Sequence, residues 1–143
     1  MKGPLDNARL LMEHADEDLI AGEAILATGA AQRAVCFHAQ QATEKSLKAI
    51  LAIHDLDYPL THNLDALLRL VAAAHPSLAS SKAEIVSLTP YAVDGRYAGL
   101  QSPDSDRAAA ALETARRVYG YAASVLSASE ALSGDEAETG EGA

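Results

Sequence analysis

The stretch AQRAVCFHAQQATEKSLKAILAIHDL, residues 31–56, decides the fold. Val35, Ala39, Ala42, Ala49 and Ile53 recur at helical spacing and mark one side of a helix, while Phe37, Leu47 and Leu51 widen the apolar arc. A helix apolar over so wide an arc must be covered on more than one side. The stretch therefore predicts a long central helix from about Ala31 to Leu56. It is expected to end before Asp57-Tyr58-Pro59, because proline disfavours helix in the residue before it.

The flanking sequence supplies the neighbours. Leu5, Ala8, Met12, Ala15, Leu19, Gly22 and Leu26 alternate steps of three and four, which predicts a helix from about Leu5 to Thr28 with Gly29 as its stop. Glu13, Asp16, Glu17 and Glu23 lie on its outer face. After the central helix, Asn63 is placed to cap a short helix with Leu64, Leu67, Leu68 and Val71 on its buried side, ended by His75-Pro76. Ser80 or Ser81 is expected to cap a fourth segment containing Ile85 and Leu88, with a kink or restart at Thr89-Pro90. A loop is expected from Gly95 to Pro103. A last helix should follow from about Asp104 to Leu132, its stripe made by Ala108, Leu112, Ala115, Tyr119, Ala122, Leu126 and Ser129. The expectation is an all-α protein, an up-down antiparallel helical bundle of four to five helices over residues 1–132, followed by an acidic disordered tail over 133–143.

Composition agrees with that class. Of the 143 residues 49% are apolar, which excludes a disordered chain. Alanine carries much of that share, and one Phe with no Trp favours close helix packing over a roomy aromatic pocket. The formal net charge is −9; Asp135, Glu136, Glu138 and Glu141 carry four of those charges, leaving a body near −5. Such a balance argues against a generic nucleic-acid surface, which must neutralise phosphates. A single cysteine, Cys36, within a helical pattern is expected to be a small buried residue in a reducing cytosol. The opening Met1-Lys2-Gly3-Pro4-Leu5-Asp6 lacks the apolar run of a signal peptide, and no stretch has the length of a membrane span. A soluble cytoplasmic protein without membrane attachment is expected.

Catalytic constellations are scarce. The residues three before each histidine are Leu11, Val35, Leu51, Pro59 and Ala72, so no Glu-x-x-His pair exists to build a di-metal bundle site. One cysteine excludes the cysteine-rich zinc sites, and Gly95 and Gly99 do not make a phosphate-cradling loop. No metal, cofactor or catalytic residue is assigned. Two Arg/His spacings, Arg33 with His38 and Arg69 with His75, have the residue types that some helical ribonucleases use: histidine to move protons and arginine to stabilise phosphate charge. Inside the central helix, Gln41, Glu44, Lys45 and Lys48 form a polar line, with Glu44 and Lys48 spaced as an i,i+4 pair. The line has two readings: a partly solvated face or subunit contact with paired charges, or a groove whose lysines contact a phosphate or acidic partner.

Phe37-His38-Ala39-Gln40-Gln41-Ala42-Thr43-Glu44-Lys45-Ser46-Leu47-Lys48-Ala49 resembles the signature helix of HEPN domains. Tyr58-Pro59-Leu60-Thr61-His62-Asn63-Leu64 is similar to that family's turn into its third helix, and Leu88-Thr89-Pro90-Tyr91-Ala92-Val93-Asp94-Gly95-Arg96-Tyr97 resembles its later Tyr/Arg-Tyr segment. The three blocks stand in the family's order. The resemblance implies a bundle of four or five helices, commonly a homodimer. Prokaryotic members are often encoded beside a minimal nucleotidyltransferase, in some cases as a toxin–antitoxin pair. Other members are metal-independent ribonucleases with an Arg-x4–6-His motif in the later helical region; here Arg96 is followed by Tyr97-Ala98-Gly99-Leu100-Gln101-Ser102-Pro103, with no histidine. The expectation is a HEPN-type module that dimerises and binds a nucleotidyltransferase or its nucleotide. Its candidate contact residues are Gln41, Glu44, Lys45, Lys48, His62, Tyr91, Arg96 and Tyr97. The alternatives are a metal-independent ribonuclease toxin acting on RNA and a plain oligomerisation scaffold. His62 serves either to fix the turn or as a base. Arg96 and Tyr97 serve either in packing or as a phosphate fork with a stacking ring.

Overall fold

A computed structural model describes residues 3–92 and 102–141, with side chains described as far as residue 134. The chain is an all-α helical bundle, with five α-helices among the described residues: α1 (Pro4–Thr28), α2 (Gln32–Ile53), α3 (Leu64–Ala72), α4 (Lys82–Val86) and α5 (Ser105–Glu141). Two short 3-10 turns, Pro76–Ser81 and Thr89–Tyr91, flank α4.

The expected stripes are the ones that pack. Ala8, Met12, Ala15, Leu19 and Gly22 of α1 are buried, as are Leu64, Leu67, Leu68 and Val71 of α3. On α5, Ala108, Leu112, Ala115 and Ala122 of the expected stripe are buried, joined by Ala111 and Val118, while Tyr119 and Leu126 pack half-buried against the core. Between them α2 buries Val35, Cys36, Ala39, Leu47, Ile50 and Leu51, with Ala42 and Ala49, so it is the central helix. The prevalence of alanine lets the helix axes approach closely. At Gly22 there is no room for a side chain: a Cβ built there would lie 2.9 Å from Leu112 Cδ1.

Helix ends show which local signals operate. Gly29 stops α1 in the left-handed region at φ 73°, its N–H bonding Leu26 O, as glycine permits without steric cost. Asn63 caps α3, its side chain accepting from Asp65 N and Ala66 N at 3.0 and 3.2 Å. The end of α2 differs from expectation: it stops at Ile53, three residues before Leu56. Asp55 takes φ 54°, Asp55 N bonds Ala52 O and Leu56 N bonds Leu51 O, which is a Schellman closure with aspartate where glycine is usual. The chain has turned before Pro59 acts. Ser81 stands at the start of α4 without capping it, because the 3-10 turn from Pro76 already runs into that helix. Thr89 Oγ1 accepts from Leu64 N at 3.3 Å, serving α3 and not its own turn. The loop expected over 95–103 lies mostly outside the described residues, and α5 runs on to Glu141, past the end expected near Leu132.

Side-chain bonds between helices fix their directions. Gln32 Nε2 reaches Ser105 Oγ at 3.0 Å, so α2 and α5 start at the same pole. Arg116 pairs with Glu23, and Arg9 with Glu130, so α5 runs against α1. With α1 turning back into α2, α5 runs parallel to α2. Residues 55–63 return the chain along α2, bringing His62 to the level of Glu44, and α3 then descends beside α2 until His75 meets His54.

Candidate functional site

Glu44 is the centre of the polar line on α2. Its side chain is only 6% exposed, and its carboxylate accepts three bonds. Gln40 Nε2 donates at 3.0 Å from one turn earlier, Lys48 Nζ at 3.1 Å from one turn later, and His62 Nδ1 at 2.7 Å from the returning segment. Gln41 Nε2 extends the chain by donating to Gln40 Oε1 at 2.6 Å. A carboxylate removed from water is held by charge-assisted bonds from several donors, and this one has them. Lys48 also lies 5.7 Å from the Tyr58 ring centroid, and Tyr58 hydroxyl accepts from Asn7 Nδ2 at 3.3 Å, so the network ties α2 to both α1 and the returning segment.

Lys45 faces the other side of α2. Its ammonium bonds Asp18 Oδ2 on α1, and the second oxygen of Asp18 is 2.9 Å from His38 Nδ1. Asp18, at 12% exposure, thus gathers a lysine and a histidine from two turns of α2. Lys45 and Lys48, the two cations placed in one line by the sequence, end in separate ion pairs on either flank of the helix.

Tyr91 belongs to a third group, near the start of α5. Arg107 lies over its ring, 5.9 Å from the centroid, and Arg107 Nη2 donates to Ser87 O at 3.3 Å. The buried Cys36 thiol sits here too. Burial pushes its pKa up, opposed by the charges of Arg107 and Arg33 and by its bond to Tyr91. Arg96 and Tyr97 lie outside the described residues.

Of the eight candidate residues, the structure brings Gln41, Glu44, Lys48 and His62 into one bonded network. Lys45 lies beside it with a different partner, and Tyr91 belongs to the Cys36 group. Sequence reasoning missed Gln40 and Asp18. Gln40 has a legible signal, its i,i+4 spacing to Glu44. Asp18 has none, since an acid on an outer helix flank looks the same whether or not a neighbouring helix supplies cations.

The two Arg/His spacings do not assemble as pairs. His38 is bonded to Asp18, and no bond joins it to Arg33, whose charge acts to lower the Cys36 pKa. Arg69 pairs with Asp65 at 3.1 Å and is 73% exposed; His75 instead meets His54 and Tyr121. Among the described residues, no three His, Cys, Asp or Glu side chains converge to hold a metal ion, and no helix is long and apolar enough to cross a membrane.

No curated protein matches the chain. The HEPN domain model matches residues 8–125 of this all-α chain, which therefore belongs to the HEPN domain family.

Proposed function

We propose that this chain is a non-enzymatic HEPN-type module, of the kind found in toxin–antitoxin pairs. It self-associates through its long helices and docks a nucleotidyltransferase partner, or the nucleotide such an enzyme handles. The observation that carries a docking role over an RNA-cleaving one is the separate engagement of each Arg/His pair. His38 is taken by Asp18, Arg69 by Asp65, and His75 by His54 and Tyr121. A proton-transfer group and a phosphate-stabilising group must reach the same substrate atoms, and partners pointing elsewhere oppose that.

The contact surface follows from the same geometry. Lys48 is already neutralised by Glu44, and its side chain is 13% exposed. It therefore shapes the surface more than it contacts a ligand. His62, 58% exposed on the rim of that network, is the group there that a partner reaches; on the opposite flank Lys45, though paired with Asp18, is 25% exposed and more accessible than Lys48. Arg96 and Tyr97 complete the proposed set with a guanidinium fork and a stacking ring. Such a module works in the cytoplasm with its partner.

Affinity pull-down from the native cells under mild conditions, with mass spectrometry, tests the reading. Recovery of a nucleotidyltransferase supports it. Lys45→Glu and Arg96→Glu are then expected to weaken that complex at least about tenfold, roughly 1.4 kcal/mol, with unchanged helical circular dichroism. Binding of neither nucleotide nor such a partner, with charge reversal changing nothing, removes it. RNA cleavage that persists in chelator and vanishes in His38→Ala or His75→Ala would put a ribonuclease in its place. A stable oligomer with no ligand would leave a scaffold.

A further inference from the structure

At the pole where α2 ends, three elements meet through side chains outside the network on α2. His54 stands at the C-terminal cap of α2, His75 between α3 and the following 3-10 turn, and Tyr121 on α5. The two imidazoles approach with Nε2 to Nε2 at 2.8 Å, and His75 Nδ1 lies 2.8 Å from the Tyr121 hydroxyl. Ser77 Oγ donates to the same hydroxyl at 3.4 Å. The ring centroids are 5.0 Å apart, so the nitrogens meet nearly head-on, as in an N–H···N bond.

That contact requires one nitrogen with a proton and one without. Ser77 donating to Tyr121 leaves the phenol hydrogen for His75 Nδ1. His75 then carries its proton on Nε2 and donates it to His54 Nε2. The neutral cluster is thus one directed chain from Ser77 to His54. One added proton can be held. The imidazole–imidazole bond survives it reversed, with His75 Nδ1 then donating to the phenol oxygen, whose own hydrogen turns to Ser77 Oγ. A second proton cannot be held. Both Nε2 atoms would then carry hydrogen, facing one another as two cations with no acceptor between them.

We propose that the His54–His75–Tyr121 cluster is an acid-releasable latch that ties the α3 end and its 3-10 turn to the ends of α2 and α5. Beside the latch, α5 presents Val125, Ala128 and Leu132 along an open concavity shared with both histidines. Among the described residues, no neighbouring carboxylate is turned to compensate a doubly charged pair. On α2, Asp55 lines a separate hollow with Pro4, Asn7 and Tyr58. On α5, Arg117 is turned to Thr114 and Ser81, and Glu130 to Arg9 of α1. The turn adds only the uncharged Ser77. Burial first, and the charge of His54 second, hold the His75 pKa below the ordinary 6.5. For a base lowered by folding, the stabilising contribution is complete above the ordinary value and is lost as pH falls through the lowered one. The latch therefore opens on the acid side.

The test follows the histidine ring signals of the full chain by NMR from pH 8 to 4.5, with amide hydrogen-exchange protection measured over the same range. The His75 ring is expected to titrate below the ordinary histidine value. As it does, protection over residues 71–81 should fall at least tenfold, while α1–α2 amides near the opposite pole keep theirs. His54→Gln supplies a neutral side chain that can donate or accept, and should keep residues 71–81 protected at the lowest pH. A His75 ring that titrates at the ordinary histidine value would overturn the latch. So would equal loss of protection in wild type and His54→Gln, or wild-type protection that persists until the whole chain unfolds. If His54→Gln fails to fold, the wild-type ring titration decides alone.

Discussion

Replacing Glu44 with alanine tests whether the polar line on α2 is a structural tie. The carboxylate is 6% exposed and accepts from Gln40, Lys48 and His62. His62 is largely in water, so its pair is screened and adds little. Gln40 is fully buried and Lys48 is 13% exposed; removal of Glu44 leaves an amide and an ammonium without their acceptor. Breaking a buried ion pair from one side costs about 3–5 kcal/mol, and relaxation of Lys48 toward water brings the expected loss to about 3 kcal/mol. Against a domain stability of roughly 5–15 kcal/mol, that is a large fraction. Urea unfolding followed by circular dichroism should show the midpoint lowered by about 1.5 M, for a slope of about 2 kcal/mol per M. The double substitution Glu44→Leu with Lys48→Leu removes both charges together and should recover more than half of the loss. A Glu44→Ala cost below about 1 kcal/mol, or a double variant as unstable as the single one, would refute the buried-tie argument.

Three further expectations are read out by the same unfolding assay or by thiol chemistry. Gly120→Ala, with nothing within 4 Å of the new Cβ, should stabilise by about 0.5–1 kcal/mol through helix propensity, whereas Gly22→Ala should destabilise by about 1 kcal/mol because its Cβ would meet the fully buried Leu112 at 2.9 Å. Equal effects of the two would mean that the α1–α5 approach is looser than the structure gives. Asn63→Ala should cost about 1 kcal/mol, since Asp65 N and Ala66 N lose their acceptor at the start of α3; no change would mean that water replaces the cap without penalty. Cys36, its thiol pKa raised by burial, should resist alkylation at neutral pH until the chain unfolds. Its contribution to stability is complete below its ordinary value of 9.0 and is lost as pH rises through the higher folded value. Rapid native-state labelling would contradict the buried thiol.

How much was legible in the sequence depends on the range of the forces involved. Burying an apolar stripe obliges residues three and four apart to share a face, so the stripes of α1, α3 and α5 and the central place of α2 could be read from order alone. The caps at Gly29 and Asn63 were legible for the same reason: their physics lies within one turn of chain. The end of α2 was misplaced because Asp55 adopts a left-handed conformation that any scan reserves for glycine or asparagine, and the closure at Leu51 and Ala52 took precedence over Pro59.

The candidate site divides in the same way. That Glu44 and Lys48 pair is a property of helix spacing, and the sequence by itself determined it. The family likeness, carried by consecutive residues, was equally open to inspection. Tertiary structure alone decided that Lys45 belongs to Asp18 and His62 to Glu44, and that His75 meets His54 and not Arg69. Each of those contacts joins residues from different elements. Their partners are chosen by helix direction and by the return of residues 55–63 along α2, and a one-dimensional pattern encodes neither. A charge states that it needs a partner; only the packed fold, by removing water from one side of it, says which partner it gets.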